Sequence, residues 1–267
     1  MQRRAGVREL AERVGGIIDN AIHPRMAAFL AAQRFVVIAT VDPDGNPTAS
    51  LLGGEPHFAS ATNDRTVRIT PSFGHRERVR EDIDATGVVG LLAIDQSTRR
   101  RIRINGNASR DGDAIVISTA EVYSNCPQYI RPRFVREREG ATPSTSIGSE
   151  LTADQQQWIA DADTFFLATT HPQRGADASH RGGPSGFVTV ESPSRLNWPD
   201  FPGNNMFNSL GNLAVHPRCG LLFVDFARGA TLQLRGTARI DGDDARVVTV
   251  DLDEVIETRD AIPLRWD

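Results

Sequence analysis

The chain has no lysine: all 30 of its basic residues are arginine. A Walker A loop and a Schiff base to pyridoxal phosphate or a sugar both need the lysine amine, so both are excluded. Phosphate or carboxylate must be held by arginine, hydroxyls, amides or backbone N–H groups. Cysteine is nearly absent too. Only Cys126 and Cys219 occur, without CxxC pairing, which argues against a disulfide framework and for a cytoplasmic setting. No apolar run reaches the roughly 18–20 residues of a membrane span. The opening Met1-Gln-Arg-Arg-Ala-Gly6 lacks the apolar stretch of a signal peptide. A net charge of −4 and a pI near 5.9 argue against nucleic-acid partners and a polybasic membrane contact. The 6 histidines show no HExxH or other metal spacing, so no metal site is predicted. There is no GxGxxG, Gly182-Gly-Pro-Ser-Gly186 lacks the spacing of a nucleophile elbow, and no nucleophile–base pair is visible.

What is present is a repeat. Phe35-Val-Val-Ile-Ala-Thr40 answers Phe165-Phe-Leu-Ala-Thr-Thr170, and Gly90-Leu-Leu-Ala-Ile-Asp95 answers Gly220-Leu-Leu-Phe-Val-Asp225. Ile102, Ile104, Gly106 and Ala108 answer Leu232, Leu234, Gly236 and Ala238, all at a constant offset of 130. Two copies of one unit pack about a pseudo-twofold axis, as the subunits of a homodimer do. The 267 residues suffice for two such cores.

Many short strands with few helices predict a mainly β chain with a small barrel in each half. Strands are expected at Thr48–Leu52, Thr66–Thr70, Val88–Ile94 and Arg101–Asn105, and helices at Met26–Gln33 and Gly74–Ile83. Residues 1–34 read as helical with a break at His23-Pro24. Residues 136–149 read as a linker, and Thr152–Ala160 as a capped helix. The division is 1–135 for the first unit and 150–267 for the second.

Four clusters carry candidate chemistry. Gly175-Ala-Asp-Ala-Ser-His-Arg-Gly-Gly183 places the donors of Ser179, His180 and Arg181 beside Gly182, where something can approach the backbone closely. A polar edge strand running into a loose loop is the alternative. Asn197-Trp-Pro-Asp-Phe-Pro-Gly-Asn-Asn205 sets Gly203, Asn204 and Asn205 at a helix start, suited to an anion or to simple capping. Arg99, Arg101, Arg103 and Asn105 share one strand face, an arrangement that is usually solvated; the other copy has Gly229, Thr231, Gln233 and Arg235 there. Asn125-Cys-Pro-Gln-Tyr-Ile130 offers Asn125, Cys126 and Tyr129 to a ligand ring, with an inert thiol the blander reading. The same offset sets Ala49, Ser50 and Leu51 opposite Ser179, His180 and Arg181, so one tight anion site is expected, on the second copy.

These motifs, with Trp198-Pro-Asp-Phe, Phe207-Asn-Ser-Leu-Gly-Asn212 and Gly220-Leu-Leu-Phe-Val-Asp225, resemble the flavin-nucleotide-binding relatives of pyridoxamine 5′-phosphate oxidase over about residues 27–245. The resemblance implies two FMN-binding split β-barrels in tandem, packed as an intrachain pseudo-dimer. It implies FMN as cofactor and hydride or electron transfer through the flavin. NAD(P)H or a separate reductase would be the partner; Leu264-Arg-Trp266 also resembles relatives in which this module precedes a reductase. A second copy of the chain is a further candidate partner. Carried over by residue, Ser179, His180, Arg181 and Gly203 to Asn205 would hold the phosphate. Trp198 and Pro199 would line the flavin, and Arg101 would reach it from the partner barrel. The family oxidase has basic residues where this chain has Asn204, Asn205 and Met206, which implies a weaker phosphate hold. Residues for vitamin B6 oxidation find no match. The alternative is a flavin-nucleotide or other planar-anion module without turnover, or a degenerate scaffold.

Overall fold

The computed structural model describes residues 18–124, 126–140, 142–201, 207–242 and 246–267. The first unit runs α1 (Pro24–Ala31), β1 (Phe35–Val41), β2 (Pro47–Gly53), β3 (Ala59–Asn63), β4 (Thr66–Ile69), β5 (Phe73–Gly74), α2 (Arg76–Thr86), β6 (Val88–Asp95), β7 (Arg100–Asp111) and β8 (Ala114–Ser124). Two short strands follow, β9 (Val135–Glu137) and β10 (Ser144–Gly148). The second unit runs α3 (Ala153–Asp161), β11 (Thr164–His171), β12 (Gly175–Gly182), β13 (Thr189–Ser192), β14 (Arg195–Pro199), α4 (Asn208–Val215), β15 (Arg218–Asp225), β16 (Ala230–Asp241) and β17 (Val247–Arg259), before β18 (Leu264–Trp266). The sheet orders are β3-β4-β8-β7-β6-β1-β2-β5 and β13-β14-β17-β16-β15-β11-β12. The protein is two split barrels of one design, all antiparallel.

Local chemistry accounts for the ends of these elements. Pro24 opens α1 at the expected break, because its fixed φ suits the first helical turn. Thr152 and Gln155 form a reciprocal capping box on α3. Residues 136–149 are not simply a linker: β10 adds to the edge of β17, and β9 pairs with β18. The long strands β8 and β17 were not anticipated, and neither keeps a strict alternation of buried and open positions. Leu10, Val14 and Ile17 of the expected first helix lie outside the described residues.

The register corrects the repeat. Ala39 pairs with Ala49 and Ala168 with Ala178, so β1 and β2 recur at an offset of 129. Val36 to Thr40 therefore match Phe165 to Thr169. Side-chain direction requires it: Val36 and Ile38, like Phe165 and Leu167, fill the barrel cores, while Val37 and Phe166 enter the core between barrels. One added residue between β14 and β15 gives 130 for β6 and β7, where Val88 pairs with Asn107 and Arg218 with Thr237. The longer β16–β17 turn gives 133 in the last strand, since Asp111 pairs with Ala114 but Asp241 with Val247. Ser50 thus matches Ser179, Leu51 matches His180 and Leu52 matches Arg181.

The strands β1 and β11 carry apolar residues on both faces because both faces are buried, one in a barrel and one at the join. Close approach at the join uses two equivalent glycines. A Cβ on Gly90 would lie 2.7 Å from the Ala176 carbonyl oxygen, and one on Gly220 would lie 2.6 Å from that of Pro47. Each contact is the image of the other, as in an isologous interface.

Candidate functional site

At one end of the join, a cleft opens between β7 of the first barrel and β12, β14 and the start of α4 of the second. It holds about 910 Å³ of empty space, open solvent at its mouth included. Arg101, Cys126, Tyr129, His180, Arg181, Gly182, Trp198 and Pro199 all line it. Ser179 does not. Its hydroxyl donates to the Leu167 carbonyl (3.3 Å) and lies 3.0 Å from Ser209 Oγ, inside the barrel. Asn125, Gly203, Asn204 and Asn205 lie outside the described residues. Arg99 sits in a turn with φ 54°, so it leaves the face it was expected to share with Arg101.

The charges are arranged unevenly. Arg103, expected on a solvated face, is buried against Asp177, with Nη1 3.1 and 3.0 Å from the two carboxylate oxygens. Tyr123 O–H and Ser209 O–H each donate to the same carboxylate at 3.1 Å, and Asn208 Nδ2 donates to Tyr123 at 2.9 Å. Burial lowers the Arg103 pKa, but Asp177 and Tyr123 outweigh it and the net shift is upward. Burial and Asp177 push Tyr123 up to about 12. Asp200 bridges Arg181 and Arg246, at 3.2 Å to each.

Arg101 is different. Its Nη2 donates to the Cys126 carbonyl (2.8 Å), and its Nη1 lies 3.0 Å from Nδ1 of His180. Burial, then Arg103 and Arg181, lower its pKa to about 9. Burial lowers Arg181 also, with Asp200 partly restoring it. His180 is driven well below its ordinary value by burial, then by Arg101 and Arg181. Among the described residues the cleft and its wall hold Arg101, Arg103, Arg181 and Arg246, with the carboxylates of Asp177 and Asp200 beside Arg103 and between Arg181 and Arg246. Among the described residues, four buried donors have no partner: Nε of Arg101, Nε of Arg181, Nε2 of His180 and Nε1 of Trp198. A dianion with several acceptor oxygens fits this donor set. Tyr129 and Phe201 stack at 5.4 Å on its apolar side. Gly182 lets the chain cross there, since a Cβ would lie 2.2 Å from the Tyr129 carbonyl oxygen.

Sequence reasoning missed Asp200, Phe201, Phe207 and Arg246. Asp200 and Phe201 directly follow the Trp198-Pro199 motif, whereas Arg246 comes from the far end of the β16–β17 turn and carried no local signal.

The matching place in the first barrel is filled by the protein itself. His75 Nδ1 accepts from the Leu51 N–H (3.0 Å), and its Nε2–H reaches Thr231 Oγ1 (3.0 Å), where Thr231 matches Arg101. Gln233, which matches Arg103, donates to the Ala49 carbonyl (2.8 Å) and to Ser50 Oγ (3.1 Å).

The family model for pyridoxamine 5′-phosphate oxidase matches residues 22–125 and 151–259, and the chain belongs to that family. A comparison with curated proteins finds no match. Among solved structures, the chain is similar to HupZ of Group A Streptococcus (16% identity over 38% of this chain and 93% of that one, TM-score 0.32). It is also similar to HutZ, a heme storage protein of Vibrio cholerae (13%, 40% and 93%, TM-score 0.31), and to the FAD binding protein of Mycobacterium smegmatis (16%, 43% and 98%, TM-score 0.30). Less than half of this chain covers almost the whole of each. Among the described residues no helix is long and apolar enough to cross a membrane, and no group of His, Cys, Asp and Glu could hold a metal ion.

Proposed function

We propose that the cleft between the barrels holds FMN and that the protein is an FMN-dependent oxidoreductase. The observation that carries the reading is the set of buried donors on Arg101, Arg181 and His180 that have no partner among the described residues. Arg181 and His180 would hold the phosphate from the second barrel, and Arg101 would approach the ring side from the first. Tyr129, Phe201 and Pro199 offer apolar surface for a planar ring system. When bound, FMN supplies hydride or electron transfer through its flavin, and the protein supplies position and charge. The electron source would be NADH, NADPH or a separate reductase, and the setting cytoplasmic. The units would divide at 1–135 and 150–267, each contributing to the one site.

Mass spectrometry of ligand released from protein purified without added cofactor tests the cofactor. FMN, or a strong preference for it on reconstitution, supports the reading; retention of a different ligand that FMN fails to displace overturns it. A binding module without turnover is the second reading. Its support is that His180, the histidine lining the cleft, is held neutral and paired. Failure of either nicotinamide cofactor or a flavin-reducing partner to reduce bound FMN would favour that second reading.

A further inference from the structure

The contact between Arg101 and His180 fixes more than a distance. A guanidinium carries donors only, so Nδ1 of His180 must be the acceptor in the 3.0 Å contact. A neutral imidazole with a lone pair on Nδ1 carries its proton on Nε2. That Nε2 is buried and has no partner, while the residue itself is 5% exposed and lines the cleft. Among the described residues, nothing accepts from this second nitrogen.

We infer that Arg101 is a positioning residue, acting through His180 to hold the imidazole as a neutral Nε2–H donor for an acceptor atom of the ligand. Protonating Nδ1 would set an N–H against the Arg101 N–H. It would also add a charge beside Arg101 and Arg103 from β7, Arg181 on the same strand and Arg133 from the segment before β9. The neighbour from β11 is Phe166, its ring centroid 5.9 Å away, which stabilises no charge by pairing. Both halves of the chain thus contribute to one donor, since β12 supplies the imidazole and β7 fixes its tautomer. A phosphate oxygen or a ring carbonyl satisfies such a donor, whereas an ammonium group or another N–H does not. The first barrel has no equivalent pair, since Leu51 and Thr231 occupy these positions.

This inference rests on the flavin reading only for the identity of the acceptor, so its test has a readout that needs no flavin. Histidine ¹⁵N NMR of the whole chain, with His180 assigned by the signal lost in His180→Gln, reports tautomer and titration. The expected result is one unprotonated nitrogen at Nδ1 and one protonated at Nε2, unchanged from pH 8 to pH 5. In Arg101→Met both tautomers populate or the ring titrates in that range; Arg101→Lys, which keeps a cationic donor, restores the single tautomer. FMN affinity falls at least about tenfold in Arg101→Met and recovers partly in Arg101→Lys. Titration of wild-type His180 between pH 5 and 8, a proton on its Nδ1, or an unchanged spectrum in Arg101→Met would overturn the inference. Should Arg101→Met fail to fold, the wild-type titration and the Arg101→Lys spectrum still decide it. A locked tautomer in a protein without FMN affinity would support the pair and defeat the flavin reading.

Discussion

Arg101 of β7 places its Nη1 3.0 Å from Nδ1 of His180 on β12, across the join between the two barrels. The cleft belongs to neither half alone. One barrel contributes Arg101 and Arg103, the other His180, Arg181 and Trp198. The functional consequences follow from that shared construction.

Replacing Arg181 with alanine should weaken FMN binding by about 10- to 100-fold, the loss of a charge-assisted contact worth roughly 1.5–3 kcal/mol. Arg99 stands in a turn outside the cleft-lining set, so Arg99→Ala should leave affinity within about twofold. Flavin fluorescence titration compares the two. Equal losses would remove Arg181 from the phosphate side.

Each chain should take up one FMN. In the first barrel His75 bridges Leu51 and Thr231, and Gln233 is bonded to Ala49 and Ser50, so no surplus of donors awaits an anion there. Calorimetry should give a stoichiometry near one; two equivalent sites would contradict the asymmetry.

The fold was legible in the sequence because β1 and β11 are apolar on both faces and the turns between strands are marked by Gly, Asp and Asn. The register was not. Matching Phe35 to Phe165 seemed natural, yet Phe35 packs at the join beside Trp266, whereas Phe165 fills the second barrel with Trp198 and Phe223. Only the strand pairing reveals the one-residue slip. Of the candidate cleft's lining, His180, Arg181 and Gly182 were legible as donors next to a glycine. Ser179 was misplaced because its hydroxyl is taken up inside the barrel by Leu167 and Ser209, and Arg103 because a stripe of arginines reads as solvated until Asp177 from the other half is seen opposite it. Arg246 is distant in sequence and nothing local marks it.

Acid should destabilise the protein through half-buried His75 and buried His180. Burial holds His75 at about 4, against 6.5 for the free side chain, and His180 also lies far below. The unfolded state then binds protons that the folded state refuses. Stability is fully present above pH 6.5 and falls as the pH drops toward 4, by at most about 1.4 kcal/mol per pH unit for each such group. His75→Gln should show a shallower fall than the wild type in urea midpoints measured at pH 7, 6 and 5. Identical slopes would show that His75 is not the source.

The paired glycines at the join admit no side chain. In Gly90→Ala the new Cβ meets the Ala176 backbone, and in Gly220→Ala it meets that of Pro47. Backbone on both sides cannot yield cheaply, so each substitution should cost roughly 1–3 kcal/mol. Denaturation midpoints should fall by similar amounts in the two variants. A midpoint unchanged in either would mean that the barrels are not pressed together at that point.

A crystal structure of the protein soaked with FMN tests the central claim most directly. One flavin per chain should lie in the cleft, its phosphate beside Arg181 and His180 and its ring toward Arg101. Density at His75 and Arg76 instead, or FMN in equal amount at both ends of the join, would contradict it.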